Sequence, residues 1–140
     1  MAPTTTIADL TERTGVAVVA DWPADCIIPV LTGVQRQGDV IILPAADATA
    51  TTPVPASGTP VVRGESGGNT HAIHADAGSG VCCDTLTADP ASLVVARLLV
   101  PSGATAWLAH PEHGYLGIGP GTYEVRRQRE QADELRMVAD

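Results

Sequence analysis

The chain has no lysine and no phenylalanine, and its only aromatic residues are Trp22, Trp107, Tyr115 and Tyr123. All eight cationic side chains are therefore arginine, against sixteen carboxylates, for a formal net charge of −8. A non-specific nucleic-acid binder would be basic, so that class is excluded. No apolar run reaches the roughly 18 residues of a membrane span. Met1–Leu10 lacks the positive region and apolar stretch of a secretory signal, so none is expected there. Only three cysteines occur. Two of them, Cys82 and Cys83, are neighbours, and a bond between them would be strained. All three read as reduced thiols, which fits a cytoplasmic site of synthesis.

Charged residues are scarce as well, at 17%, against roughly 25% in an average domain. Yet 44% of the chain is apolar, which argues against general disorder. At 140 residues one domain is expected, 1–140, burying about two thirds of its unfolded surface. Without phenylalanine its core must be Val, Leu, Ile and Ala, residues that suit pleated sheets.

The chain reads as short strands punctuated by turns. Strand signals lie at 16–20, 26–31, 39–43, 59–63, 71–75, 81–86, 93–100, 105–109, 115–118 and 122–129. Turn signals of Gly, Pro, Ser and Asp separate them, and Gly33–Gly38 reads as one such turn. Tyr123, Val125 and Arg127 alternate with Thr122, Glu124 and Arg126, the period of a two-faced strand. Only Gln131–Val138 has helical spacing, with Ala132, Leu135 and Val138 on one stripe. The expected fold is all-β: an antiparallel β-sandwich or barrel with a short C-terminal helix. Residues 45–60, rich in Ala, Thr and Pro, read as a flexible or extended insert.

The four histidines form two pairs of equal spacing, His71-x-x-His74 and His110-x-x-His113. Imidazole is the commonest metal ligand, and an open site needs three protein ligands. On a flat strand residues three apart point to opposite faces, so His71 and His74 converge only at a bulge or turn. Pro111 places His110 and His113 in a turn, where they can converge. The four together are the candidate site for a divalent metal such as zinc. The plain alternative is that they sit singly in loops and strand ends. Cys-rich structural zinc is excluded because no cysteines stand at ligand spacing.

A histidine pair in a β chain invites comparison with cupins, which carry H-x-H and P-x-G-x-x-H. Here the first pair is H-x-x-H. Pro101-Ser102-Gly103 is followed by Ala106 where cupins have histidine. The cupin metal set therefore does not transfer.

Glu112-His113-Gly114, Pro120-Gly121-Thr122-Tyr123-Glu124-Val125 and Arg127-Gln128-Arg129-Glu130 precede a terminal Val138-Ala139-Asp140. This run resembles a family of small uncharacterised bacterial and phage-encoded proteins. They share a mid-chain histidine pair, then E-H-G, P-G-T-Y-x-V, R-Q-R-E and a final V-x-D. The resemblance covers residues 112–140 and, more loosely, His71–His74 and the strand at 38–44. It implies a small β domain found in phage or prophage settings.

Half of the arginines, Arg126, Arg127, Arg129 and Arg136, fall in the last fifteen residues. From residue 112 onward, four arginines meet six carboxylates, leaving −2, while the first 111 residues carry −6. Arg126, Arg127 and Arg129, with Tyr123, are the candidate partner-binding residues, through bidentate contacts to carboxylates of another subunit. The plain reading pairs these arginines with Glu124 and Glu130 of the same chain.

No G-x-S-x-G elbow, phosphate loop or dinucleotide fingerprint occurs. Gly64-Glu65-Ser66-Gly67-Gly68 reads as a hairpin loop, because no histidine precedes Ser66 as a protease order would need. The expectation is a non-enzymatic structural or assembly protein, such as a capsid decoration or head-associated component of a virion. Its partners would be protein subunits, in a homo-oligomer or capsid-like assembly. The alternative is a small metal-binding β-barrel, an enzyme or a binding module, built on the four histidines.

Overall fold

The computed structural model describes residues 5–18, 22–63, 69–86 and 93–127. The expected strand over 16–20 does not form at 16–18. Instead the chain opens with a helix, α1 (Ile7–Thr14). Thr6 and Asp9 cap it reciprocally, and Gly15 ends it in the left-handed conformation with φ 74°. The expected C-terminal helix and the 64–68 loop lie outside the described residues, as does Arg129.

Strands β1 (Val30–Leu31), β2 (Gln35–Gln37), β3 (Val40–Pro44), β4 (Thr59–Val62) and β5 (His71–Ala75) come next. They are followed by β6 (Cys82–Thr85), β7 (Val94–Val100), β8 (Ala106–His110), β9 (Gly114–Ile118) and β10 (Gly121–Arg127). They form two five-stranded sheets, ordered β1-β9-β8-β5-β4 and β2-β3-β10-β7-β6. Every pairing is antiparallel except β1 with β9. The architecture is a sandwich, not a closed barrel.

Alternation builds the core between the sheets. Val40 and Ile42, Ala96, Leu98 and Val100, and Tyr123 and Val125 point inward from the second sheet. Ile73, Ala106, Leu108 and Ile118 meet them from the first. β8 is buried along its whole length, because both of its faces are covered. Its inner face, Ala106 and Leu108, joins the main core. Its outer face, Trp107 and Ala109, packs with Tyr115 beneath Ile7 and Leu10 of α1. Tyr115 also donates its hydroxyl to the Val16 carbonyl at 2.6 Å, fastening the end of the helix to β9.

Two departures from the sequence reading have physical causes. The expected turn at 33–38 contains β2, with Gln35 and Gln37 facing inward. Their amides cross to the other sheet: Gln35 Nε2 donates to the Gly117 carbonyl at 2.8 Å, and Gln37 Nε2 to those of Gly114 and Leu108 at 3.2 and 3.4 Å. Buried polar groups are tolerated when bonded in this way. Within the segment 45–60, residues 51–54 run alongside β6. Val54 N donates to Val81 O, Cys83 N to Thr52 O, and the Asp84 carboxylate accepts from the backbones of Thr51 and Thr52. The three cysteines are free thiols, and burial pushes that of Cys83 up to about 12.

Tyr123 is placed in the core, 1% exposed, and donates its hydroxyl to the Gly119 carbonyl at 2.7 Å. A partner cannot reach it there. Tyr123→Phe would leave that buried carbonyl unpaired and should destabilise the domain by roughly 1–3 kcal/mol in urea unfolding. Unchanged stability would mean that the hydroxyl serves something other than the fold.

Candidate metal centre

Register decides where each histidine goes. β5 and β8 pair Ala72 with Ala109, Ile73 with Leu108 and His74 with Trp107. One step further along this ladder, His71 and His110 stand side by side, with ring centroids 4.2 Å apart. Both share the inward face of Ile73 and Leu108. The turn at Pro111 then brings His113 back over His110, with centroids 4.5 Å apart and 5.8 Å from His71. One nitrogen from each of the three rings lies within 4.8 Å of the others. His74, on the opposite face of β5, is not part of this group. It sits beside Trp107 under α1.

The rings are held individually. Nε2 of His71 is buried without any hydrogen-bond partner. Oε1 of Gln37 is buried without a partner as well. His110 Nδ1 accepts from the backbone N–H groups of Glu112 and His113, at 3.0 and 3.2 Å. A neutral ring bonded in that way carries its proton on Nε2. His113 is exposed and packs against the β2–β3 turn, where Gly38 has φ +60°. A Cβ on Gly38 would come within 2.9 Å of His113 Nε2, so glycine leaves room for the ring. On the rim, Asn69 Nδ2 donates to Glu112 Oε1 at 2.6 Å and joins the approach to β5 with the His110–His113 turn.

Electrostatics keep the inner rings neutral. Burial pushes His71 down from its ordinary 6.5 to about 4; the neighbouring His110 and His113 add to this, and Asp39 opposes it. His110 is lowered by burial and by His113, against the pull of Glu112 and Asp39. A buried neutral imidazole with an unpartnered nitrogen is a lone pair ready for a cation.

A family model described as a domain of unknown function (DUF8820) matches residues 36–128. The chain belongs to the DUF8820 family. No curated protein and no solved structure matches the chain. The DUF8820 segment contains all three clustered histidines together with Gln37 and Asp39, whereas α1 precedes it.

Within the same DUF8820 segment, two of the candidate partner-binding arginines, Arg126 and Arg127, lie on β10, between β3 and β7 in the middle of its sheet; Arg129 lies outside the described residues. β10 therefore presents no free backbone edge. Arg126 pairs with Glu124 two positions earlier, at 3.0 Å. Arg127 has its Nε buried without a partner among the described residues.

The depressed His71 fixes the sign of a pH effect in the metal-free domain. Between 6.5 and about 4 the unfolded chain binds a proton that folded His71 refuses. This contribution is complete above about 6.5 and is lost as pH falls toward about 4. Urea midpoints measured across that window should drop with pH, and more shallowly in His71→Gln. Equal slopes for the two proteins would refute a neutral buried His71.

Proposed function

We propose that this domain binds a divalent transition metal through His71, His110 and His113. The observation that carries the reading is the three-ring cluster, with one nitrogen of each ring within 4.8 Å of the others and Nε2 of His71 buried without a hydrogen-bond partner. An orphaned polar atom in a folded interior costs about 1–3 kcal/mol, which a bound ion would offset. Three imidazoles suit zinc, copper or nickel better than calcium or magnesium. Three protein ligands leave a position for water or a further ligand. Tetrahedral zinc with bonds near 2.0–2.1 Å would draw its nitrogens to roughly 3.4 Å apart, closer than the 4.8 Å limit of the metal-free cluster. His113, exposed and on a turn, is the ring best placed to close that distance. His110 is the costly ligand: freeing its Nε2 lone pair for a metal requires the ring proton to move to Nδ1, at the loss of the two backbone bonds that Nδ1 accepts.

Calorimetric titration of the metal-free protein with zinc should give one ion per chain. His71→Ala and His113→Ala should each weaken binding at least tenfold, and His74→Ala should leave it unchanged. Absence of binding, or equal loss in His74→Ala, would overturn the reading.

The assembly reading keeps one supporting observation. Trp22, Ile27, Leu31 and Val34, on and around β1, are 50–64% exposed. Large exposed apolar side chains suit contact with another subunit. The finer form, a capsid decoration or head-associated protein, draws on the sequence resemblance. In light scattering the protein should run as an oligomer that Leu31→Asp with Val34→Asp converts to monomer. A monomeric parent protein at high concentration would remove this reading.

A further inference from the structure

The fourth histidine has surroundings of its own. A cavity of about 230 Å³ lies between α1 and the outer face of β5 and β8. Leu10 and Trp107 give it apolar walls, His74 and Thr14 polar ones, and Arg13 and Asp76 charged ones. His74 is 4% exposed, and no hydrogen bond to its ring is found among the described residues. Burial lowers its proton affinity, so the ring offers one donor and one acceptor without charge. The ring is seated deliberately. Gly58, at φ +86°, lies so close that a Cβ there would fall 2.5 Å from His74 Cε1. Glycine's missing side chain is what lets the imidazole stand at this place, between the backbone and the cavity.

The charged residues suggest what enters. Arg13 and Asp76 are loosely paired at 3.8 Å, with side chains 48% and 70% exposed. Such a surface pair contributes little to stability, so an anionic ligand can take the guanidinium from Asp76 at small cost. Arginine's planar fork matches a carboxylate. Among the described lining residues there is one cation, an aspartate stands beside it, and the chain carries −8 overall, which disfavours a dianion such as phosphate. The indole of Trp107 and the side chain of Leu10 suit a flat apolar body. The volume is below the roughly 300–1,000 Å³ of drug-sized sites, so the ligand is compact.

We infer that the cavity between α1 and the β5–β8 face is a binding site for a small aromatic monocarboxylate, with the carboxylate on Arg13, the ring against Trp107 and Leu10, and His74 as the inner polar contact. This site is on the opposite face of β5 from the three-histidine cluster and does not depend on it.

Benzoate is the direct probe, with benzamide as its uncharged counterpart. In NMR titrations of the full chain, benzoate should move the His74 ring and Trp107 indole resonances and bind at least tenfold more tightly than benzamide. Arg13→Gln, on an exposed part of the helix, should abolish that preference. His113→Ala should leave it intact. His74→Asn should weaken both probes. The inference is overturned if millimolar benzoate leaves His74 and Trp107 unmoved, if benzamide binds equally well, or if the shifts fall on His71, His110 and His113. Zinc binding is a separate measurement, so failure at either site is recognised independently.

Discussion

The domain depends on a pair of glutamines that reach across the sandwich. Gln35 and Gln37 reach out of the second sheet and donate to carbonyls of β8 and β9. Each of these bonds replaces a contact that an aliphatic side chain would have made, so the interface there is directional as well as apolar. Gln37 does most to shape the histidine cluster. Its side chain fixes the β2–β3 hairpin against Gly114, next to the turn that carries His113. Gly38 and Asp39 follow directly, which places one beside His113 and the other within electrostatic reach of His71 and His110.

Much of this was legible in the sequence wherever alternation carried it. β3, β5, β7, β8 and β10 lie close to where their Val, Leu and Ile periodicity put them. β2 was invisible because its inward positions are glutamines, and hydrophobic periodicity does not register an amide that finds a buried carbonyl. The helix carries its end signals in the sequence: Thr6 three residues before Asp9, and Gly15 at the end. They flank eight residues containing only Ile7, Ala8 and Leu10 as apolar positions, too few for a clear stripe. The tail that does show a stripe lies outside the described residues.

The two histidine pairs share a spacing and diverge in outcome for a local reason. His71 and His74 lie on one extended strand, so the pleat separates them. His110 and His113 flank a proline turn, so the backbone folds them together. What could not be read from spacing was the partner: His71 meets His110 through cross-strand pairing, across thirty-eight intervening residues. Tyr123 and the arginines show the same limit. The tyrosine's place in the core follows from β10 being central, and strand order is not written in local pattern.

The β5–β8 ladder carries two chemistries back to back, with His71 and His110 on one side and His74 and Trp107 on the other. A one-residue slip of either strand would exchange the faces and dismantle both at once. The chain's irregularity falls elsewhere. β4, at the sheet's outer edge, skips a position against β5 between Pro60 and Val62. That edge bulge lets the chain absorb a spare residue next to His71 without disturbing the ladder. Length changes are therefore tolerable on the β4 side of His71 and ruinous between Ala72 and Ala75, so the two strands form a fixed ruler against which both faces are measured.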